Sequence, residues 1–501
     1  MSDAIEPLSP IEQHFERWRV RLGLIGAPIV FAVVWSTEFP SLKPEAHRLA
    51  AVLGAVVTLW ISEAISMPVT ALIGASLCVV LRVAPAKEVF APFADPIMFL
   101  FIGSFMLARA IFLHGLDRRL AFAALALRWV GGSPARVLFV YGAVTAFLSA
   151  WISNTATTAM MFAIGLSILN FLMGGGDREA LVDRRYATGL MLMTSFAASI
   201  GGLATPVGTP PNLIGLAAIR DTLGVEIPFL KWSFIGAPVV VCLYLYLFVY
   251  LNWLCPGGRG TLSGGLSLLD EERRRLGPWT SGQRSTVVAF AITVTLWIVP
   301  GIVAVTAGEQ SAAYQTLTRC LPESVAALLG AALLFFLPGD RQGRAITWRE
   351  AAEIDWGVVL LYGGGFALGV LSDKLGLAAA MGQNLVQLLP STSGLVLVIA
   401  AATVATLISE LTSNTASAII VVPVAIHIAQ AAGADPLEPA LAATFAASLG
   451  FMLPVSTPCN AIVYGSGYIP LTRMVRYGLL LDIAGMAVIV VMVRLLGRWV
   501  L

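Results

Sequence analysis

FLSAWISNTATTAMMFAI at 147–164 and LISELTSNTASAIIVVPV at 407–424 are two copies of one segment. Each carries a polar Ser-Asn-Thr core inside an apolar run, and the cores, Ser153–Thr155 and Ser413–Thr415, lie 260 residues apart. A second pair follows: FAASIGGLATPVGTPPNLI at 196–214 and FAASLGFMLPVSTPCNAIV at 445–463, offset by about 248. The likeness falls on polar, proline and glycine positions, which apolar composition alone does not reproduce. The chain is therefore internally duplicated.

The surroundings of these segments are those of a membrane protein. Of 501 residues, 58% are hydrophobic and 12% charged, about half the charge of a soluble domain. Apolar segments run over 22–36, 49–65, 68–84, 96–113, 137–152, 155–173, 187–204, 210–219, 232–254, 285–305, 322–337, 357–372, 393–411, 415–430, 440–453, 458–469 and 477–497. Many are long enough for a hydrocarbon core of about 30 Å. No polar stretch exceeds about 35 residues, which leaves no room for a separate catalytic domain. The net charge of +2 points to no nucleic-acid partner, and the five cysteines show no CxxC or paired spacing. The polar start, Met1 to Arg19, lacks the apolar core of a cleavable signal peptide. The first span is expected to serve as the insertion signal.

Four polar or Pro/Gly-rich breaks interrupt the short segments: SNTATT at 153–158, TPVGTPPN at 205–212, TSNTAS at 412–417 and PVSTPCN at 454–460. Irregular backbone at membrane depth survives where it lines a cavity or is buried in protein. Paired breaks in corresponding places point to a transporter binding site. Arginine placement predicts their sidedness. The flanks of the first Ser-Asn-Thr segment hold Arg118, Arg119, Arg128, Arg136, Arg178, Arg184 and Arg185, whereas those of the second hold one basic residue, Lys374. By the positive-inside rule the first flanks are cytoplasmic and the second external. Each segment then reads as a re-entrant hairpin, and the repeat is inverted. Loops 255–284 (Arg259, Arg273, Arg274, Arg275, Arg284) and 338–350 (Arg341, Arg344, Arg349) read as cytoplasmic. The expected fold is an all-α polytopic membrane protein, an inverted-repeat transporter in the inner membrane with a cytoplasmic N-terminus and lipid around it.

If the tips and breaks meet at the midplane, they bring Ser153, Asn154, Thr155, Ser413, Asn414 and Thr415 together with Thr209 and Thr457. Helix N-termini at such tips favour an anion. Hydroxyl and carbonyl oxygens suit a hard monovalent cation such as sodium. No lysine or arginine lies in the four breaks, so a dianion held there needs bound cations for neutralisation. That is a physical reason for coupling.

These residues resemble the divalent anion/sodium symporters, the dicarboxylate, citrate and sulfate transporters. The resemblance spans roughly 45–495 and rests on the duplicated Ser-Asn-Thr motif and on ASLGFMLPVSTPCNAIV at 447–463; SEAISMP at 62–68 is an imperfect match lacking a proline directly after Ile65. The resemblance implies a homodimer, each protomer with about 11 transmembrane helices and two re-entrant hairpins. It implies scaffold helices (22–130 and 285–390), transport parts moving as an elevator (131–220 and 391–470), a connecting helix (231–254), a cytoplasmic linker (255–284) and a last helix (471–501), after a cytoplasmic segment at 1–21. It implies that Asn154, Thr155, Asn414 and Thr415 hold a substrate of the succinate, fumarate or malate type, with Thr457 lining the site. Sodium ions are expected at Ser149, Ser153 and Asn154 with a carbonyl near Gly202, and at Ser409, Thr412 and Asn414 with backbone near Ser456. Citrate or sulfate symport and sodium-independent exchange stay open as alternatives.

Other residues carry less. Glu63 is expected to brace the scaffold, Arg109 to snorkel, and Glu410 either to shape the second hairpin or to pair with a local donor. His114 and His427 show no partner in sequence. GGGF at 363–366 and the glycines at 174–176 lack the lysine and strand–helix context of a phosphate loop and are expected to pack helices. Isolated histidines and the lack of HExxH or GxSxG with partners argue against an intramembrane enzyme. A channel would share the repeat plan.

Overall fold

The computed structural model describes residues 10–40, 42–127, 129–130, 133–173, 182–257, 271, 273–340, 343–387 and 391–497, with side chains from Arg17 onward. Arg128, Arg178, Arg259, Arg341 and the glycines at 174–176 lie outside the described residues.

The described chain is helical. Its first half holds α1 (Pro10–Ser36), α2 (Pro44–Ser62), α3 (Met67–Val80), α4 (Ala86–Phe90), α5 (Pro96–Leu113), α6 (Leu116–Leu125), α7 (Pro134–Ser149), α8 (Asn154–Leu172), α9 (Arg184–Gly201), α10 (Pro210–Leu223) and α11 (Phe229–Leu254). The second half holds α12 (Ser281–Ala307), α13 (Ala312–Cys320), α14 (Glu323–Leu333), α15 (Trp348–Ala351), α16 (Trp356–Lys374), α17 (Leu377–Val386), α18 (Gly394–Leu411), α19 (Asn414–Ala431), α20 (Leu437–Ala446), α21 (Pro458–Tyr464) and α22 (Leu471–Leu496). Among the described residues, eleven helices are long and apolar enough to cross a membrane. They include α8, α18 and α19, which the sequence reading assigns to hairpin arms.

Local chemistry sets the boundaries. Pro44, Pro96, Pro134, Pro210 and Pro458 stand first in their helices, where the missing N–H costs no helical bond. Asp95, Ser133, Ser153, Asp183, Asp355 and Ser413 each cap the helix that follows by accepting a backbone N–H. The element order repeats beyond the quoted motifs. Asp95 caps α5 and Asp355 caps α16, 260 residues apart; each long helix then turns through a left-handed glycine, Gly115 (φ 62°) or Gly376 (φ 76°), into a short one.

Two expectations need correction. The flanks of the Ser-Asn-Thr segments at 117–136 and 373–392, where the sequence shows no apolar segment, contain helices α6 and α17. The segment 440–453 stops being helical at Ala446, and 458–469 stops at Tyr464, because hydropathy registers an apolar run and not whether its backbone is wound. The glycines of GGGF do pack: a Cβ on Gly363 would sit 2.6 Å from the Phe93 ring, and one on Gly364 2.6 Å from Ala71.

Helix α9 is the buried centre, 94% of its span enclosed, while α1 is outermost at 11%. Around α9 pack α7, α8, α11 and α21; around α20 pack α10, α18, α19 and α22. Helices α2, α3 and α16 form a separate apolar cluster with Trp60, Val56 and Leu368 inside. The short helix after each break thus packs on the other copy, α21 on α9 and α10 on α20.

Candidate functional site

Helix α7 ends at Ser149 and α8 begins at Asn154; Ser153 caps α8 by accepting from Ala156 N at 3.3 Å. In the second copy Ser413 caps α19 from Ala416 N at 3.2 Å. Each copy then makes the same clasp. Ser149 Oγ donates to Asn154 Oδ1 at 2.7 Å, and Ser409 Oγ donates to Asn414 Oδ1 at 2.8 Å. An amide oxygen and a hydroxyl are thereby fixed at the start of each helix.

The two breaks are closed by residues that the sequence reading did not single out. Unwinding α9 and α20 leaves carbonyls without an i+4 donor. Asn212 supplies both missing donors: Nδ2 donates to Gly202 O at 2.9 Å and Thr205 O at 2.8 Å. Asn460 does the same to Gly450 O and Leu453 O, both at 2.9 Å, and its Oδ1 accepts from Ser195 Oγ at 2.5 Å. The spacing, 10 and 7 residues back, is identical in both copies. The available signal was the shared end of TPPN and TPCN. A second pin ties each break to its Ser-Asn-Thr segment. Thr205 Oγ1 donates to Ala150 O at 2.5 Å, and Ser456 Oγ donates to Glu410 O at 2.9 Å and to Glu410 Oε2 at 2.6 Å.

One cavity of about 620 Å³ brings the two copies together. Ser153, Asn154, Thr155, Ser413, Asn414 and Thr415 line it with Thr209, Ser456 and Thr457. Phe105, Arg109, Glu353 and Asp355 line it as well. Two long helix starts, α8 and α19, open onto it with the free N–H groups that favour an anion; α10 also starts there, but Pro210 and Pro211 leave its first two positions without an N–H.

The remaining named residues sit around the clasps. Gly202 presses on Asn154: a Cβ there would lie 2.5 Å from Oδ1. Ser149 Oγ, Asn154 Oδ1 and the Gly202 backbone thus converge. In the second copy Gly450 takes the corresponding place, its Cβ direction 3.2 Å from Asn414 Oδ1 and 3.3 Å from Ser409 Oγ. Thr412 Oγ1 donates to Ile408 O at 2.8 Å, and Ser456 is turned to Glu410. These donor sets are neutral oxygens, which fit sodium. Among the described residues no three His, Cys, Asp or Glu side chains cluster.

The sequence profile of the sodium:sulfate symporter transmembrane region matches residues 20–501. The chain belongs to this family. It is 32% identical over 483 residues to the "Sodium-dependent dicarboxylate transporter SdcS" of Staphylococcus saprophyticus, covering 95% of this chain and 91% of that one. The protein of the same name from Staphylococcus aureus strain bovine RF122 is 30% identical, with 94% and 90% covered. Two solved structures share the fold at low identity. The Alcanivorax borkumensis YdaH transporter gives a TM-score of 0.54 at 14% identity, covering 97% of each chain. Neisseria gonorrhoeae MtrF gives 0.53 at 13%, covering 98% of this chain and 96% of that one. Membership places the chain among multi-pass transporters and not among enzymes.

Within this symporter framework the isolated polar residues acquire partners. Glu63, at φ 45°, accepts from Arg19 at 3.0 Å and braces α1 on α2. Glu410 is buried and accepts from Met452 N at 2.7 Å as well as from Ser456, so it holds the second break in shape. His114 bonds Ala345 O at 2.6 Å, and His427 bonds Asp373 at 3.0 Å; both lacked a partner in sequence because those partners come from a distant loop and a distant helix. Arg109 does not snorkel freely. It lines the cavity and pairs with Glu353.

Proposed function

We propose that this protein performs sodium-coupled symport of a small dianion, foremost a C4-dicarboxylate, moving the duplicated unit as an elevator between inward- and outward-open states. The observation that carries this reading is the pair of Ser–Asn clasps, Ser149–Asn154 and Ser409–Asn414, both at helix starts facing one cavity. Asn154, Thr155, Asn414, Thr415 and Thr457 bind the carboxylates. The first sodium sits by Ser149, Ser153, Asn154 and Gly202, the second by Ser409, Thr412, Asn414 and Ser456. Breaks without fixed cations make sodium the neutralising charge, so an empty or half-loaded site is disfavoured from crossing. The relatives named as sodium-dependent dicarboxylate transporters support this substrate class. The Ser-Asn-Thr segments act as re-entrant hairpins from opposite faces of the inner membrane, and two protomers associate through their scaffolds.

Uptake of radiolabelled succinate into proteoliposomes, under an inward sodium gradient against an equal potassium gradient, tests the reading. Sodium-dependent uptake blocked by excess fumarate supports it. Counterflow that needs internal dicarboxylate and ignores sodium replaces it with exchange. Uptake of sulfate or citrate alone moves the substrate class.

A further inference from the structure

Arg109 stands on α5 and lines the same cavity as both Ser-Asn-Thr segments. Among the described residues lining that cavity it is the sole lysine or arginine. Its Nη2 is paired with Glu353, while its Nε is buried without a hydrogen-bond partner. A guanidinium offers adjacent N–H groups as a fork, and a carboxylate or sulfate takes two of them at once. With Nε buried, the edge that Glu353 occupies at Nη2 is the one a ligand would contest. The pair is also unevenly placed: the Glu353 side chain is 56% exposed and that of Arg109 28%. The cation is fixed in the wall and the anion stands toward solvent.

The other charged groups nearby are engaged elsewhere. Glu350 accepts from Thr347 N at 2.9 Å and Thr347 Oγ1 at 2.8 Å, Asp355 caps α16 through Val358 N at 3.3 Å, and His114 holds Ala345 O. Glu353 is thus the carboxylate in direct contact with this guanidinium. The deeper clasps carry no formal charge, so an oxyanion passing between solvent and the clasps meets one fixed positive group on its way.

We propose that Arg109 is an anion-capture site in the wall of the cavity, its guanidinium taking one carboxylate of the passing dianion in place of Glu353, a built-in competitor that the substrate displaces. This rests on the transport reading above. Its ligand class is a small oxyanion with a planar or tetrahedral oxygen pair.

The test is the sign of two opposite substitutions, read as KM and Vmax for dianion uptake at saturating sodium in proteoliposomes. Arg109→Gln removes a charge-assisted contact, so KM rises about tenfold while Vmax changes little, and Arg109→Lys recovers part of the loss. Glu353→Gln removes the competitor, so KM falls. An ion pair with only a structural role would move both variants the same way. Unchanged KM in Arg109→Gln, or a raised KM in Glu353→Gln, overturns the proposal. If Arg109→Gln does not accumulate, the direction of the Glu353→Gln change decides alone. If the wild type takes up no dianion at all, the transport reading fails and this site with it; wild-type uptake with two unaltered variants sinks only the site.

Discussion

Gly202→Ala is the sharpest probe of the first clasp. A Cβ at this position would sit 2.5 Å from Asn154 Oδ1 and 3.2 Å from Gly208 O, against about 3.4 Å where ordinary contact begins. The amide oxygen would have to retreat by about 0.9 Å. Its bond from Ser149 Oγ, now 2.7 Å, cannot survive that shift unaltered. Overpacking of this kind costs about 1–3 kcal/mol. At about 1.4 kcal/mol per tenfold, the sodium concentration for half-maximal uptake should rise between about fivefold and a hundredfold. Gly450→Ala is the internal control. There the approach is 3.2 Å to Asn414 Oδ1 and 3.3 Å to Ser409 Oγ, so the neighbours yield by only about 0.2 Å. Its sodium dependence should stay within about twofold of wild type, well under 1 kcal/mol. Sodium titrations of uptake at fixed succinate, backed by sodium-dependent thermal shifts of the purified protein, read both variants. A wild-type sodium dependence in Gly202→Ala, or an equal defect in Gly450→Ala, would refute the placement of the ion beside Asn154.

Asn154→Ala and Asn414→Ala should each abolish uptake while gel filtration shows the same assembly as wild type; normal transport by both would remove the clasps from the mechanism. Asn460→Ala orphans the carbonyl of Gly450 and the Ser195 hydroxyl and leaves Leu453 O with Ser456 N alone. At about 1–3 kcal/mol per buried orphan, softened by rearrangement within the membrane, the melting temperature should drop by several degrees, whereas Asn384→Ala, which removes an exposed bond to Ala380 O, should leave it unchanged. Asp117, on the short helix α6, is buried with Oδ1 unpartnered, and burial pushes its carboxyl up to about 6. A raised value means the folded state holds the proton more tightly, so stability present below the ordinary carboxylate range is lost as pH rises through about 6. Asp117→Asn should therefore melt higher than wild type at pH 8, by at most about 3 kcal/mol, and alike at pH 4; a gain at both pH values would rule out ionisation as the cause.

The clasps were legible because they are local. Ser149 and Asn154, like Ser409 and Asn414, are five residues apart and straddle a helix start. Ser, Asn and Thr seek such starts, where they compete best with helical backbone bonds. The bridging asparagines were equally local, 7 and 10 residues from their carbonyls. They were passed over because nothing in a hydropathy profile tells a helix that has come unwound from one that has not. Glu410 shows the intermediate case: its place in the membrane was plain from its neighbours, but its donors, Met452 N and Ser456 Oγ, lie more than 40 residues on.

By itself, then, the sequence determined the medium, the helical class, the duplication and the chemistry at each polar break. Apolar length, charge scarcity and paired motifs are one-dimensional quantities. Only the tertiary structure decided which helices face one another. Arg109 meets Glu353 across 244 residues and Ser195 meets Asn460 across 265. The physical reason is that lipid is as apolar as leucine, so hydropathy does not choose between a helix neighbour and a lipid chain. Small-residue packing and buried polar pairs make that choice, and those contacts exist only once the helices have come together.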